Sequence, residues 1–181
     1  MADHDLAALW EEHCRYEFET RDVDATMATM VDEPYVNHVP TMTGGVGHDQ
    51  LRRFYKCHFI GRNPDDTELI PVSRTVGTDS LVDEMLFCFT HTREIDWMLP
   101  GIAPTGRRVE VPLVAIVRFR DGKLVHEHIY WDQASVLVQV GLLDPAGLPV
   151  AGADTARKVL DKALPSNALM RNWASSEGEL V

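Results

Sequence analysis

The strongest constraint on the fold is the Asp121-Gly122 pair, which lies between two β-rich runs at 107–120 and 123–132. Asp-Gly between such runs is typical of a tight β-hairpin, so the two runs are predicted to be antiparallel neighbours. Two further β-rich runs precede them, at 67–76 and 81–93. The second half of the chain is therefore predicted to form an antiparallel sheet of long strands.

Alternate residues of the last strand divide into a titratable set and an apolar set. The even positions hold His126, His128, Tyr130 and Asp132. The odd positions hold Val125, Ile129 and Trp131, interrupted only by Glu127. Side chains two residues apart share a face of a strand, so the titratable face is predicted to be a pocket wall.

The first half of the chain is predicted to be mainly helical. Apolar spacing indicates helices at 5–19, 23–31 and 48–60, with a short strand at 35–39. His13 lies on the apolar face of the first helix, where a core-edge histidine satisfied by one hydrogen bond is expected. The glycine-rich segment 41–47 lacks the lysine of a phosphate loop and is interpreted as a flexible flap beside a pocket. Helices are also predicted at 134–143 and 155–164.

Composition limits the partners and the number of domains. A formal net charge of −11 over 181 residues argues against nucleic acid or an anionic membrane as a partner. No apolar run is long enough to span a bilayer, and the N-terminus is not a signal peptide, so a cytoplasmic location is predicted. The cysteines, expected to be reduced core thiols, are Cys14, Cys57 and Cys88. The length favours one domain at 1–145 and a tail at 146–181 that packs on the domain or on a partner subunit.

Two segments carry a resemblance to a known family. They are Tyr35-Val-Asn-His-Val-Pro-Thr-Met-Thr-Gly-Gly45 and His128-Ile-Tyr-Trp-Asp-Gln-Ala-Ser-Val-Leu-Val-Gln-Val-Gly141. With the order of elements, they resemble the SnoaL-like group of the nuclear transport factor 2-like superfamily, named after polyketide cyclases. The chain is also similar to modules found with carboxymethylenebutenolidase-type proteins, although the nucleophile region of those hydrolases is not present.

The resemblance implies an α+β fold, a cone-shaped barrel in which a strongly curved antiparallel sheet wraps around the N-terminal helices. It also implies a homodimer and a cavity for a small molecule. The superfamily hosts isomerases, dehydratases, aldol cyclases, epoxide hydrolases and non-catalytic binding domains, so fold alone does not choose among them.

The candidate site follows from the residues and the resemblance together. Asp132 resembles the acid/base aspartate of SnoaL-like cyclases, His128 or His38 is a candidate base, and Tyr130 is a candidate donor to an enolate oxygen. Further substrate-binding candidates are Tyr35, Phe54, Tyr55, Trp97 and His126. Structural alternatives stay open: Asp132 as a helix cap, His126 as a solvated side chain, and Trp97 as core packing.

These residues predict cofactor-independent acid/base chemistry on a small carbonyl compound, by an isomerase, a dehydratase or an aldol-type cyclase. The alternative is a non-catalytic small-molecule-binding or dimerisation domain. His126 and His128 could present two imidazoles to a metal with Asp132 or His38, but two ligands on a strand are weak evidence, so no metal is predicted. No flavin, nicotinamide or haem signature is present.

Overall fold

A computed structural model describes residues 4–179 as a mixed α+β fold built on a six-stranded sheet of order β2-β1-β6-β5-β4-β3. The strands are β1 (Met30–His38), β2 (Thr43–Val46), β3 (Glu68–Val76), β4 (Ser80–Thr90), β5 (Arg108–Arg120) and β6 (Lys123–Trp131). The α-helices are α1 (Leu6–Cys14), α2 (Val23–Ala28), α3 (His48–Phe54), α4 (Gln133–Gln139) and α5 (Asp154–Leu160), with a final 3₁₀ turn at Trp173–Ser176.

Two helices end in π-helical segments. The Asp5 carboxylate caps α1 by accepting a hydrogen bond from the Ala8 N–H, and α1 continues as a π-helix over Arg15–Thr20. Helix α3 continues in the same way over Tyr55–Phe59. The predicted helices 5–19 and 48–60 are thus confirmed in extent. Their π-helical ends are notable because such segments are rare and occur frequently at functional sites.

The predicted hairpin is confirmed. Strands β5 and β6 are antiparallel, with Leu113 opposite Trp131. Asp121 and Gly122 have φ values of 51° and 75°, as a two-residue turn of this kind requires. The hairpin places β6 next to β5, and β6 then holds β1 on its other side.

The prediction of a wholly antiparallel sheet is wrong at one pair, because β1 runs parallel to β6. A second difference is β2, which lies within the segment interpreted as a flexible flap. Gly44 makes this strand possible: it has φ of +134°, and a Cβ atom there would lie 2.1 Å from the Val36 carbonyl oxygen. The glycines thus allow the close approach of β2 to β1.

The closed barrel is not confirmed. In the stated strand order β2 and β3 are the two edges, so over residues 4–179 the sheet is open. One face packs against α1 and α3 and forms the main core, which includes Trp10, Leu51, Phe87, Val111 and Ile129. On the opposite face, Ala156 of α5 packs against Leu86 and Cys88. We call these the inner and outer faces; the predicted boundary between domain and tail near residue 145 stays a prediction.

The three cysteines are free thiols. Cys88 is buried and Cys14 is half-buried, but Cys57 is exposed, so its assignment to the core is wrong. Among residues 4–179, no helix has the length and apolar character needed to cross a membrane.

Candidate functional site

A small cavity of about 50 Å³ lies between the inner face of the sheet and helices α1 and α3. Aromatic and aliphatic side chains form most of its wall. The polar side chains that reach it are Glu17, His38, Tyr55 and Glu127. A mostly apolar wall with a few polar groups is typical of small-molecule sites, although this cavity is much smaller than the about 300–1,000 Å³ of most ligand pockets.

Glu127 reaches the cavity because the odd positions of β6, not the even ones, face inward. Glu127, Ile129 and Trp131 are buried, whereas Tyr130 is 42% exposed. The predicted orientation of this strand is therefore wrong. The apolar set covers the core, and the one charged residue within it is the group that enters the cavity.

Glu127 meets two residues of the first helix. His13 Nε2 lies 3.1 Å from Glu127 Oε1 and 3.2 Å from Glu17 Oε1. His13 and Glu17 are four residues apart, which places them on the same side of the helix. His13 is fully buried, so its expected position at the core edge is wrong, but it makes the one expected hydrogen bond, to Thr29, in addition to its contacts with two carboxylates.

The tautomer of His13 follows from its other neighbour. Thr29 Oγ1 donates to the Thr26 carbonyl oxygen at 2.7 Å and lies 2.6 Å from His13 Nδ1. Because the hydroxyl proton is used on Thr26, Nδ1 must carry a proton and donate it to Thr29. Nε2 is then the atom presented to the carboxylates. It makes no hydrogen bond of good geometry with either of them, although both are close.

Tyr55 completes this group from the start of the second π-helix. Its buried hydroxyl donates to Glu127 Oε1 at 3.4 Å, and it faces Glu17 as well. We call His13, Glu17, Tyr55 and Glu127 the polar cluster. The cluster combines two carboxylates, an imidazole and a phenol at one end of an otherwise apolar cavity.

Burial and charge shift the pKa values in the cluster. Burial alone would lower the pKa of His13, but the Glu17 and Glu127 carboxylates outweigh it and raise that pKa to about 10. Burial raises the pKa of Glu17, and His13 opposes that shift. Burial, followed by the two carboxylates, raises the pKa of Tyr55 well above its usual value, so its hydroxyl stays protonated as a donor.

His38 reaches the cavity from the end of β1. Its Nδ1 lies 3.3 Å from the Thr43 carbonyl oxygen, which can only accept, so Nδ1 donates. In the neutral ring Nε2 then holds a lone pair, and within residues 4–179 it has no hydrogen-bond partner. Burial lowers the pKa of His38 to about 4, with Glu127 acting in the opposite direction. His38 is therefore a neutral base at neutral pH.

Trp97 forms the wall beside His38, with ring centroids 4.7 Å apart. Its carbonyl oxygen accepts hydrogen bonds from the hydroxyls of Thr41 and Thr43, at 2.7 and 2.9 Å. Its indole N–H donates to Asn63 Oδ1 at 2.9 Å. These bonds join the loop that carries Trp97 to β2 and fix one side of the cavity.

The structure brings three predicted site residues to the cavity: His38, Tyr55 and Trp97. Phe54 lies behind His38, with ring centroids 5.5 Å apart, and does not line the cavity.

Four other predicted site residues lie on the outer face. His126 and His128 stack on each other at 4.5 Å, and Tyr35 packs edge-on against His128. Tyr130 is exposed on the same face. The expectation that they share a pocket with His38 is therefore wrong in placement, because the face of β6 was assigned in reverse.

Asp132 has the helix-capping role that is the structural alternative for this residue in the sequence analysis. Its carboxylate caps α4, accepting from the Ser135 N–H at 3.1 Å and from the Ser135 hydroxyl at 2.6 Å. Both carboxylate oxygens are thus used locally, which accounts for an acidic residue at this position.

A wider groove lies outside the cavity and shares three of its residues: Glu17, Phe18 and Leu69. The groove has a volume of about 280 Å³ and is also lined by Arg21 and Asn63. Glu17, Phe18 and Leu69 therefore separate the cavity from the groove.

Among residues 4–179, three side chains form a group that could hold a metal ion: His13, Glu17 and Glu127. Their ligand atoms all lie within 4.8 Å of one another. The outer-face histidines have no third ligand in the described part of the chain that would complete such a group.

Sequence reasoning missed Glu17 as a site residue and passed over Glu127. The available signals were a glutamate within the apolar positions of β6, and a glutamate four residues after a histidine on the apolar side of α1. Nothing in the sequence pairs these two segments, since that pairing depends on how α1 crosses the sheet.

Comparison with known proteins agrees with this fold. The sequence model of the SnoaL-like domain family matches residues 10–127, so the chain belongs to that family. No curated protein matches the sequence.

Several solved structures share the fold. AclR, a proposed hydroxylase from Streptomyces galilaeus, is 20% identical with a TM-score of 0.59, covering 79% of this chain and 89% of AclR. A proposed SnoaL-like polyketide cyclase from Jannaschia sp. CCS1 is 18% identical with a TM-score of 0.57, covering 80% of this chain and all of that one (100%). SalBIII, an epoxide hydrolase/cyclase-like enzyme of pyran ring formation in salinomycin, is 15% identical with a TM-score of 0.51, covering 70% and 89%. At these identities the likeness concerns the fold.

Proposed function

We propose that the protein is an enzyme that moves protons on a small carbonyl compound held in the cavity, as an isomerase, a lyase or an aldol-type cyclase does. The observation that carries the proposal is the pairing of a neutral, buried imidazole with a buried phenol and its charged neighbours in the wall of one enclosed apolar cavity. Enolate chemistry needs these two parts, a base for the α-proton and donors for the oxygen that becomes negative.

His38 is the proposed base. The hydrogen bond from Nδ1 to Thr43 leaves the Nε2 lone pair available. A pKa of about 4 makes His38 a weak base. Bases of similar pKa suffice where the enolate oxygen is strongly stabilised, as with the aspartate of ketosteroid isomerase. The buried site also removes competition from water.

Tyr55 is the proposed donor to the developing oxyanion. Its raised pKa keeps the hydroxyl protonated, and its single proton, which Glu127 Oε1 accepts at 3.4 Å, would turn to the substrate oxygen when the substrate binds. Tyr55 and His38 both pack against Phe59, with ring centroids 5.8 and 5.5 Å from that ring. Their common neighbour and their shared position in the cavity wall support the assignment of the two roles to one site.

The cavity volume limits the substrate. About 50 Å³ is a third of the roughly 150 Å³ of an engineered protein cavity that binds benzene, so the cavity takes only a few heavy atoms. A larger substrate would place its reacting end in the cavity and the remainder in the groove beyond Glu17, Phe18 and Leu69. Among the described residues that line the cavity, none is a lysine or an arginine, which favours an uncharged reacting end.

Two of the structural neighbours indicate which reactions this fold can host. The names of the Jannaschia protein and of SalBIII describe cyclases on this fold. Cyclisation by aldol closure and isomerisation both begin with removal of a proton beside a carbonyl. The proposal therefore names the shared first step and leaves the product open.

The test is deuterium exchange at the α-carbons of butanone, 2,4-pentanedione and 2-heptanone in D₂O, followed by NMR. The wild-type protein is expected to accelerate exchange, and His38→Gln and Tyr55→Phe are each expected to lose about 10²-fold or more of that acceleration. His128→Gln is the matched control, because this histidine lies on the outer face and should leave the rate unchanged.

Exchange no faster than with heat-denatured protein would refute the proposal. Equal rates in the His38→Gln variant and the wild type would remove His38 as the base. Binding of the ketones without exchange would instead favour the non-catalytic binding domain.

A further inference from the structure

We infer that His13, Glu17 and Glu127 form a binding site for one divalent transition-metal ion at the polar end of the cavity. An imidazole nitrogen with two carboxylate oxygens is a donor set that suits Zn²⁺, Mn²⁺ or Fe²⁺. The site lies on the inner face, opposite the His126–His128 pair that the sequence offers as a metal-binding candidate.

The spacing of the three ligand atoms fits one ion. Metal–ligand bonds of about 2.1 Å at 90–109° place neighbouring ligand atoms about 3.0–3.4 Å apart. His13 Nε2 lies 3.1 Å from Glu127 Oε1 and 3.2 Å from Glu17 Oε1, and all three atoms lie within 4.8 Å. The two distances from His13 match this range, and the Glu17 and Glu127 oxygens, which lie within 4.8 Å of each other, would move together to bind a common ion.

His13 Nε2 is a buried nitrogen without a hydrogen bond of good geometry. Since Nδ1 donates to Thr29, neutral His13 would have its lone pair on Nε2, directed at the space between the two carboxylates. Ionised carboxylates are acceptors only and cannot donate a hydrogen bond to this lone pair. The lone pair therefore needs either a proton or a metal ion. A metal satisfies it and both carboxylates together.

The neighbours of the three ligands resemble the supporting shell of known metal sites. Ligating histidines almost always donate their other N–H to an oxygen, and ligating carboxylates are themselves hydrogen-bonded. Here the Thr29 hydroxyl accepts a hydrogen bond from His13 Nδ1 and donates one to the Thr26 carbonyl oxygen. Tyr55 donates to Glu127.

Charge and access agree with a bound cation. Glu17 and Glu127 are 5% and 3% exposed, and two buried carboxylates require compensation. A divalent ion bound by neutral His13 and two ionised carboxylates brings the group to zero net charge. Three protein ligands beside a cavity leave coordination positions open, and Glu17 also lines the groove next to the cavity.

The test is direct metal binding by the full chain after dialysis against a chelator. Titration with Zn²⁺ is expected to give one ion per chain, and Co²⁺ is expected to give a visible ligand-field spectrum. At a hundredfold excess over the dissociation constant, Zn²⁺ should raise Tm by about 5–10 °C. Thr29→Val should weaken binding about 10–100-fold, and Glu17→Gln should weaken it further.

The control is the double variant His126→Gln and His128→Gln, which should bind as tightly as the wild type. If Glu17→Gln does not fold, Mn²⁺ broadening of wild-type NMR signals replaces it, with Tyr55 expected to broaden before the outer histidines. Failure of the wild type to bind one ion, or loss of binding only in the outer-face variant, would overturn the inference. Binding is measured without turnover, so its result is independent of the exchange assay.

Discussion

Acidification is expected to destabilise the fold through His38. Burial lowers the pKa of this imidazole from 6.5 to about 4, with Glu127 partly opposing the shift. The folded state therefore favours the neutral ring more than the unfolded state does. The resulting stability is fully present above pH 6.5 and is lost as the pH falls from there through the folded-state pKa.

The size of the effect follows from the shift. A depression of about 2.5 pKa units corresponds to about 3 kcal/mol once both states are protonated. Between about pH 7.5 and about pH 5, the contribution of His38 to the free energy of unfolding should fall by about 2 kcal/mol. Because His38 is 3% exposed, solvent screening should reduce this value little.

The assay is urea unfolding of wild type and His38→Gln at both pH values. Other groups titrate in the same range, but both proteins contain them, so the difference between the two pH effects isolates His38. The wild type should lose about 2 kcal/mol more than the variant. Equal losses, or an NMR titration of His38 near pH 6.5, would refute the argument; His128→Gln should behave as the wild type.

Three other predictions concern stability and assembly. Asp83→Asn should lower the free energy of unfolding, measured by urea denaturation, by about 2–4 kcal/mol. Asp83 accepts a hydrogen bond from the Trp10 indole at 2.8 Å and pairs with Arg74 at 3.0 Å. A loss below about 0.5 kcal/mol would contradict this. Asp132→Ala should lower the free energy of unfolding by about 1 kcal/mol, because it removes the cap of α4, and should leave ketone exchange unchanged. Loss of exchange in a folded variant would make Asp132 a site residue again. The homodimer stays a prediction, with the exposed outer face around Tyr130 as its expected interface. Light scattering should then find a dimer for the wild type and a monomer for Tyr130→Glu. A monomeric wild type would reject the prediction.

The elements of the fold could be read from local sequence patterns. The Asp121-Gly122 hairpin and the long helices are set by turn chemistry and periodicity, and these are properties of neighbouring residues. The parallel pairing of β1 with β6 could not be found in this way, because it joins segments about ninety residues apart. Strand β2 was hidden by Gly44 and its neighbours, since glycines usually indicate a loop.

The candidate site was harder to predict because the alternation in β6 predicts the wrong face of this strand as the inner one. This alternation predicts the titratable positions as the pocket wall, but an apolar cavity needs the apolar positions, and those carry Glu127. His38, Tyr55 and Trp97 were identified, yet His13 and Glu17 become site residues only when α1 packs across the sheet. Tertiary contact, which no local pattern contains, created the polar cluster.

The central claim is that the inner cavity, rather than the outer face of β6, binds the small molecule. The most direct measurement is NMR mapping of the aromatic and imidazole signals during titration with butanone. Shifts are expected at His38, Tyr55, Phe59 and Trp97 and should saturate together; those at His38, Tyr55 and Trp97 should be lost when Phe59→Trp fills the cavity. Shifts confined to Tyr35, His126, His128 and Tyr130 would contradict it and return the site to the outer face.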